Sequence, residues 1–213
     1  MYNVNNLKNI NSGKTLSIQD VKLGGHVCSI YRQSLQLYGS LAGFFNAGIR
    51  AGQKCAYVTD EYSIDQVRSG LQKCGVDVNK IQILNSNQVY LIDGKFDPQK
   101  TTQNLIQLQK TALDEGYSGL RVSGDATWSL HDTSNLEKLL QYERDINKAL
   151  QGTKIMAMCQ YHEQKFNSQV LKSILQVHRH IQIYNGLYQN KFFDTANQEL
   201  DYKQMVDEII SEQ

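Results

Sequence analysis

The segment that most constrains the fold runs from Gly24 to Asp60, GGHVCSIYRQSLQLYGSLAGFFNAGIRAGQKCAYVTD. His26 to Tyr31 is a short apolar run rich in β-formers. Leu35, Tyr38, Leu41, Phe45 and Ile49 then recur at three- and four-residue steps, the spacing of a buried helix face. Gly52 stands where a C-cap glycine would end that helix. Cys55 to Val58 is a second apolar strand, closed by Asp60 and Glu61. Two strands joined by a crossover helix make a βαβ unit. Such units pair their strands in parallel, and ligands collect where the strands end.

The alternation continues down the chain. Ile64 to Cys74 reads as a helix, with Val67 and Leu71 one turn apart and Gly75 as a stop. Ile81 to Leu84 is a third core strand, and Val89 to Ile92 a strand entering a turn at Asp93-Gly94. A helix is expected from Gln99 to Glu115, then a fourth core strand from Leu120 to Ser123. Leu136, Leu139, Leu140 and Ile146 mark another amphipathic helix, and Ile155 to Tyr161 a fifth strand. Val170 to Val177 is helical and His180 to Tyr184 a sixth strand. Tyr188, Phe192 and Phe193 are expected to fold back on the domain. The apolar stripe of a last helix, Leu200 to Ile210, suits either its own domain or a second subunit or partner.

Strands alternating with helices predict the α/β class: one three-layer domain, a mostly parallel sheet with helices on both faces. The expected divisions are a polar lead-in at 1–22, with a short helix or strand near Leu16 to Val21, the α/β domain at 23–195, and a C-terminal helix at 196–213. With 22 basic and 21 acidic side chains the formal charge is +1, which argues against direct nucleic-acid binding. No apolar run approaches the ~20 residues of a membrane span, and the first fifteen residues are polar. The expectation is a cytoplasmic protein with no membrane partner. Cys28, Cys55, Cys74 and Cys159 are scattered and expected to be free thiols. SGKT at Ser12 to Thr15 lacks the first glycine of a phosphate-binding loop, Lys8 taking its place.

In a parallel sheet the strand ends share one edge and can line one pocket. They supply Tyr31 and Arg32, Asp60 and Glu61, Gly124, Asp125 and Trp128, then Gln160, Tyr161 and His162. The expected ligand-binding set is Tyr31, Asp60, Arg121, Asp125, Trp128, Gln160 and Tyr161, with Tyr31, Trp128 and Tyr161 as walls. His26 and Cys28, two apart on a strand, face the same side. With Cys159 as a third ligand and His162 nearby they could hold zinc or another soft metal. The alternative leaves Cys28 and Cys159 as buried fillers and His26 bonded to a backbone carbonyl; no cofactor is expected. His26 opens its strand, at the edge away from Tyr161, and the HRH at 178–180 marks the start of a strand. No G-x-S-x-G elbow and no carboxylate pair is evident from spacing, so no catalytic constellation stands out.

Six motifs in order resemble the MEDS domain, the sensory domain of methanogen and methylotroph regulators. They are GGHVCSIY (24–31), AGQKCAYVTDE (51–61), DGKFDP (93–98), EGYSGLRVSGDATW (115–128), LLQYERDIN (139–147) and MCQYHEQKF (158–166). Together they cover about residues 20–195. The resemblance implies a RecA-like or KaiC-like core that has lost its nucleotide loop, and YRQSLQLYG does follow the first strand where that loop would stand. It implies a non-catalytic sensor of simple hydrocarbon derivatives, methylated or halogenated one-carbon compounds, like the sensory part of a dichloromethane-responsive repressor. Output would pass through a signalling partner, such as a histidine kinase or transcription regulator, or through a homodimer. His26, Cys28 and Tyr31, Asp60 and Glu61, Gly124, Thr127 and Trp128, and Cys159, Gln160 and Tyr161 match the family's motifs. Arg32-Gln33-Ser34, GDATW and His178-Arg179 depart from them. The other reading is a degenerate RecA-like nucleotide-binding protein or ATPase, with Asp125 serving turnover.

Overall fold

The computed structural model describes residues 16–92, 94–195 and 199–211. SGKT lies outside them. The core strands are β1 (His26–Tyr31), β2 (Lys54–Thr59), β3 (Ile81–Asn85), β6 (Leu120–Asp125), β7 (Ile155–His162), β8 (His180–Ile183) and β9 (Gly186–Gln189). They form one seven-stranded sheet in the order β3-β2-β6-β7-β1-β8-β9. All pairs are parallel except β8 with β9, a hairpin that ends the sheet. A small hairpin of β4 (Leu91–Ile92) and β5 (Lys95–Phe96) stands apart.

Period-two alternation sorts the side chains to two faces. Val27 and Tyr31 of β1 join the core under α1 (Ser34–Arg50) and α2 (Ile64–Lys73). Cys28 and Ile30 join the opposite core, under α4 (Pro98–Asp114), α5 (Thr133–Leu150), α6 (Ser168–Val177) and α7 (Tyr202–Ser211). The result is the three-layer α/β sandwich with a mostly parallel sheet that the alternation predicts.

Local chemistry sets several boundaries. Gln36 Oε1 accepts from the N–H groups of Arg32 and Gln33 and starts α1 directly after β1. Gly52, Gly75 and Gly116 follow α1, α2 and α4 with positive φ, as helix-ending glycines do. Asp97 caps α4, accepting from the Lys100 N–H, with Pro98 in the first turn.

Three expectations are corrected, and one pair of alternatives is resolved. Leu35 is 73% exposed, and the buried stripe of α1 is Leu37, Leu41, Phe44, Phe45 and Gly48. The phase is set where the helix lies closest to the sheet: a Cβ on Gly48 would come 2.6 Å from Arg121 Cδ. Val89 ends a single helical turn, α3 (Ser86–Val89), rather than starting a strand. Asn85 and Gln88 close a capping box there and satisfy its orphan N–H groups; Asp93 of the expected turn is outside the described residues. The lead-in shows a single bridge from Leu16 to Leu187 and then a turn, with neither helix nor strand from Leu16 to Val21. The α7 stripe, Tyr202, Met205, Val206 and Ile209, is buried on its own domain against α6, and Tyr202 Oη donates to Glu163 Oε1 at 2.8 Å. Of the two alternatives for this stripe, the structure shows packing on its own domain. No helix among the described residues is long and apolar enough to cross a membrane.

Candidate functional site

Two rows of sheet residues on the α4–α5 face have small side chains. Ala56, Val122, Ala157 and His26 stand side by side across β2, β6, β7 and β1. The next row on that face is Val58, Gly124, Cys159 and Cys28. Short side chains under a helix leave space, and a cavity of about 270 Å³ lies there. Leu105 and Leu108 of α4 roof it, Tyr142 and Ile146 of α5 and Tyr90 form walls, and His26 and Cys159 stand at one end. Leu105 and Leu108 are half-buried, packed at the edge of the core and bordering this void. Tyr90 stacks on the buried Trp128, ring centroids 5.0 Å apart, and the hairpin residue Phe96 covers Trp128 from another side at 4.4 Å. A wider and more open groove, lined by Tyr38, Tyr62 and Gly70, separates α1 from α2.

The His26 end is polar, with His26, Glu143 and His178 buried and Cys159 half-buried. His26, Glu143, Cys159 and His178 bring one ligand atom each to within 4.8 Å of all the others. His26 Nε2 lies 3.3 Å from Cys159 Sγ, 3.2 Å from His178 Nε2 and 3.2 Å from Glu143 Oε2. His178 Nε2 is 3.2 Å from the same oxygen. Outer contacts fix each group. Tyr161 Oη donates to Glu143 Oε1 at 2.8 Å. His178 Nδ1 meets the Ile174 carbonyl at 2.8 Å, and His26 Nδ1 meets Asn147 Oδ1 at 3.3 Å. Burial and the facing His26 push the His178 imidazole down. Burial would raise the Glu143 carboxyl, but an imidazolium beside it would outweigh burial by charge and hydrogen bonding and hold it below the carboxylate range. Burial pushes the Cys159 and Cys28 thiols well up.

The carboxyl edge of the strands is closed by hydrogen bonds. Asp125 Oδ2 accepts from the Asp60 and Glu61 N–H groups at 3.3 and 2.9 Å, and its Oδ1 from the Thr127 N–H at 3.0 Å. Asp60 accepts from Ser86 Oγ and Thr127 Oγ1 and pairs with His131 at 3.3 Å. Burial raises the Asp125 carboxyl, the hydrogen bonds from Glu61 and Thr127 oppose the rise, and the Asp60 charge adds to it. This carboxylate pair, absent from the spacing analysis, ties β2 to β6.

The seven expected ligand residues are therefore not gathered into one pocket. Tyr31 points to the α1 face, donating to Glu61 Oε2 at 3.3 Å, while Trp128 and Tyr161 lie on the other. Arg121 is buried under α1, bonded to Gln53 Oε1 at 2.7 Å and stacked on Phe44. Gln160 donates to Ser123 Oγ at 3.3 Å. None of the seven lines the cavity. Of the expected thiol and metal residues, His26 and Cys159 meet. Cys28 is fully buried outside the group, and His162 packs edge-on to Tyr31 at 5.0 Å on the other face.

A family profile described as MEthanogen/methylotroph, DcmR Sensory domain matches residues 25–179. The chain belongs to the MEDS family. The matched span of this MEDS domain runs from the strand that opens the sheet to His178 and its neighbour, and so contains all four residues of the buried polar group. Two solved structures from Pyrococcus horikoshii OT3 share the fold. The KaiC-like protein PH0186 has a TM-score of 0.52 at 14% identity, over 79% of this chain and 74% of that one. PH0250, known from a structural study, has a TM-score of 0.53 at 11% identity, over 80% and 88%. A comparison with curated proteins finds no match.

Glu143 and His178 are the residues that the spacing analysis missed. Glu143 carried a signal: it sits four residues after Leu139, three before Ile146 and seven before Leu150, on the buried stripe of α5. An acid on an apolar stripe needs a buried partner. His178 was read as the entry to a strand, because it follows α6 and only the packing of that helix turns its ring inward.

Proposed function

We propose that this MEDS domain is a non-catalytic cytoplasmic sensor that holds a small apolar molecule in the cavity beneath α4. The observation that carries the reading is an apolar void of about 270 Å³ under a half-packed helix, inside a domain of a sensory family. A one-carbon compound of three heavy atoms gains at most ~4.5 kcal/mol at ~1.5 kcal/mol per atom, a dissociation constant near 0.5 mM. The void is larger than such a compound needs, since cavities of ~150 Å³ in other proteins accept benzene. Halogenated or methylated hydrocarbons of up to about ten heavy atoms fit it by proportion. A ligand would supply Leu105 and Leu108 with missing contacts and draw α4 toward the sheet. That shift is a difference between two states which a kinase or regulator partner, or a second copy, can read. The turn from β1 to α1 is only Arg32 and Gln33, which leaves no loop to wrap a phosphate and disfavours the nucleotide reading.

The test is tryptophan emission during titration with a size series, from dichloromethane to chlorobenzene and toluene. Trp128 is the only tryptophan and reads the cavity through Tyr90. Saturable responses that tighten with ligand size are expected. A flat signal across the series, with the chain folded, would overturn the reading.

A further inference from the structure

We propose that His26 Nε2, His178 Nε2, Cys159 Sγ and Glu143 Oε2 bind one zinc ion at the inner end of the cavity. This site does not rest on the sensory reading and stands or falls separately from it. The donor spacing matches a tetrahedral ion. Zinc–nitrogen bonds of 2.0–2.1 Å set tetrahedral edges of about 3.3–3.4 Å between nitrogen or oxygen donors. The three such edges measured among the two imidazoles and the carboxylate are each 3.2 Å. A nitrogen–sulfur edge should be about 3.6 Å, and the 3.3 Å observed needs only a small opening.

The placement of protons also leaves room for a cation. Asn147 Nδ2 donates to the carbonyls of Glu143 and Val177 at 2.9 and 2.7 Å, which fixes its amide orientation. Its Oδ1 therefore accepts, and His26 Nδ1 carries the proton. His178 Nδ1 faces a carbonyl and must donate as well. Each neutral imidazole then turns an Nε2 lone pair inward, and the two face each other at 3.2 Å. Beside them Glu143 Oε2, 3.2 Å from both, is buried and accepts no well-oriented hydrogen bond. With both imidazoles neutral, three acceptors converge on one point where the lone thiol offers the only proton. Such an arrangement is unfavourable in a buried interior unless a shared proton or a metal ion occupies the centre.

The outer contacts are those of a ligand shell. Each imidazole donates its second N–H, and Tyr161 holds the far carboxylate oxygen. The charges also close. Zinc carries two positive charges, the Glu143 carboxylate and the Cys159 thiolate one negative charge each, and the imidazoles none. The complex is neutral once the thiol proton passes to water. His26 and Cys159 line the cavity, which supplies the way in.

The competing arrangement is an imidazolium–carboxylate pair with no metal, and the experiment separates them. The full chain is demetallated, then titrated with zinc chloride against a chromophoric chelator and, separately, with cobalt chloride. One equivalent of zinc is expected, with a cobalt spectrum showing intense tetrahedral bands and a near-ultraviolet thiolate-to-cobalt band. Cys159→Ser should lose the thiolate band and weaken zinc about 100-fold or more, since even outer-contact losses cost 10–100-fold. Cys28→Ser, checked for folding by circular dichroism, should keep both. The wild-type cobalt spectrum needs no variant. A folded chain that takes up no stoichiometric zinc, a cobalt spectrum without the thiolate band, or equal zinc affinity in Cys159→Ser would overturn the proposal.

Discussion

Ala157→Val should stabilise the protein and weaken its ligand response. Ala157 sits in the middle of the cavity floor, between Val122 on β6 and His26 on β1. Enlarging a residue in a filled core costs ~1–3 kcal/mol. Here the two added carbons enter empty space and meet Leu105, Leu108 and Ile146, the residues that now bound it. At ~0.8 kcal/mol per buried carbon the gain is about 1.6 kcal/mol, and valine also suits a strand. For a chain of this size 1 kcal/mol moves the melting temperature by ~2–4 °C, so a rise of about 3–6 °C is expected. The same volume is taken from the ligand, and affinity for a toluene-sized compound should fall tenfold or more. Thermal unfolding by circular dichroism and the Trp128 titration measure the two effects. A lowered melting temperature with an unchanged ligand response would refute the cavity argument.

Other substitutions follow from the same packing. A Cβ on Gly124 would stand 2.1 Å from Tyr90 Oη, so Gly124→Ala should displace Tyr90, shift the emission of Trp128 and weaken ligand binding with the fold intact. Glu163 accepts from Tyr184 and Tyr202 at 3.0 and 2.8 Å and from Arg32. Burial would raise its carboxyl, but those hydrogen bonds outweigh it and hold it below its ordinary value. A depressed carboxylate contributes its stability above the unfolded value of ~4.3 and loses it as pH falls through the lower folded value. Glu163→Gln should therefore cost ~1.5–3 kcal/mol near neutral pH, with the gap from wild type closing below about pH 4 in urea unfolding. Leu35→Ser should change stability by less than ~0.5 kcal/mol, whereas Leu41→Ala should cost ~2–5 kcal/mol; equal losses would place the buried face of α1 wrongly.

The layer order was legible because apolar strands and glycine-stopped helices announce themselves locally. The β7 run IMAMCQY and the helix-ending Gly52 and Gly75 need no tertiary information to be recognised. The face of α1 was not, since Leu35 keeps helical spacing with Tyr38 and only contact with the sheet selects Leu37 and Leu41 instead. The expected pocket failed for a related reason. Strand ends share an edge, but alternation sends Tyr31 to one face and Tyr161 to the other, where Trp128 also lies on the helical turn that follows β6. His26 and Tyr161 do lie at different heights on the sheet, and the long side chain of Glu143 spans them, touching both. No strand spacing encodes that bridge, because Glu143 comes from the helix above.

The most direct test of the sensory claim is chemical-shift mapping of the isotope-labelled chain with toluene. Changes that saturate at one equivalent and cluster on Val122, Ala157, Tyr90, Leu105 and Leu108, with smaller shifts along α4, are expected. Saturable changes centred on Tyr38, Tyr62 and Gly70 in the groove between α1 and α2, or none up to the solubility limit, would contradict it.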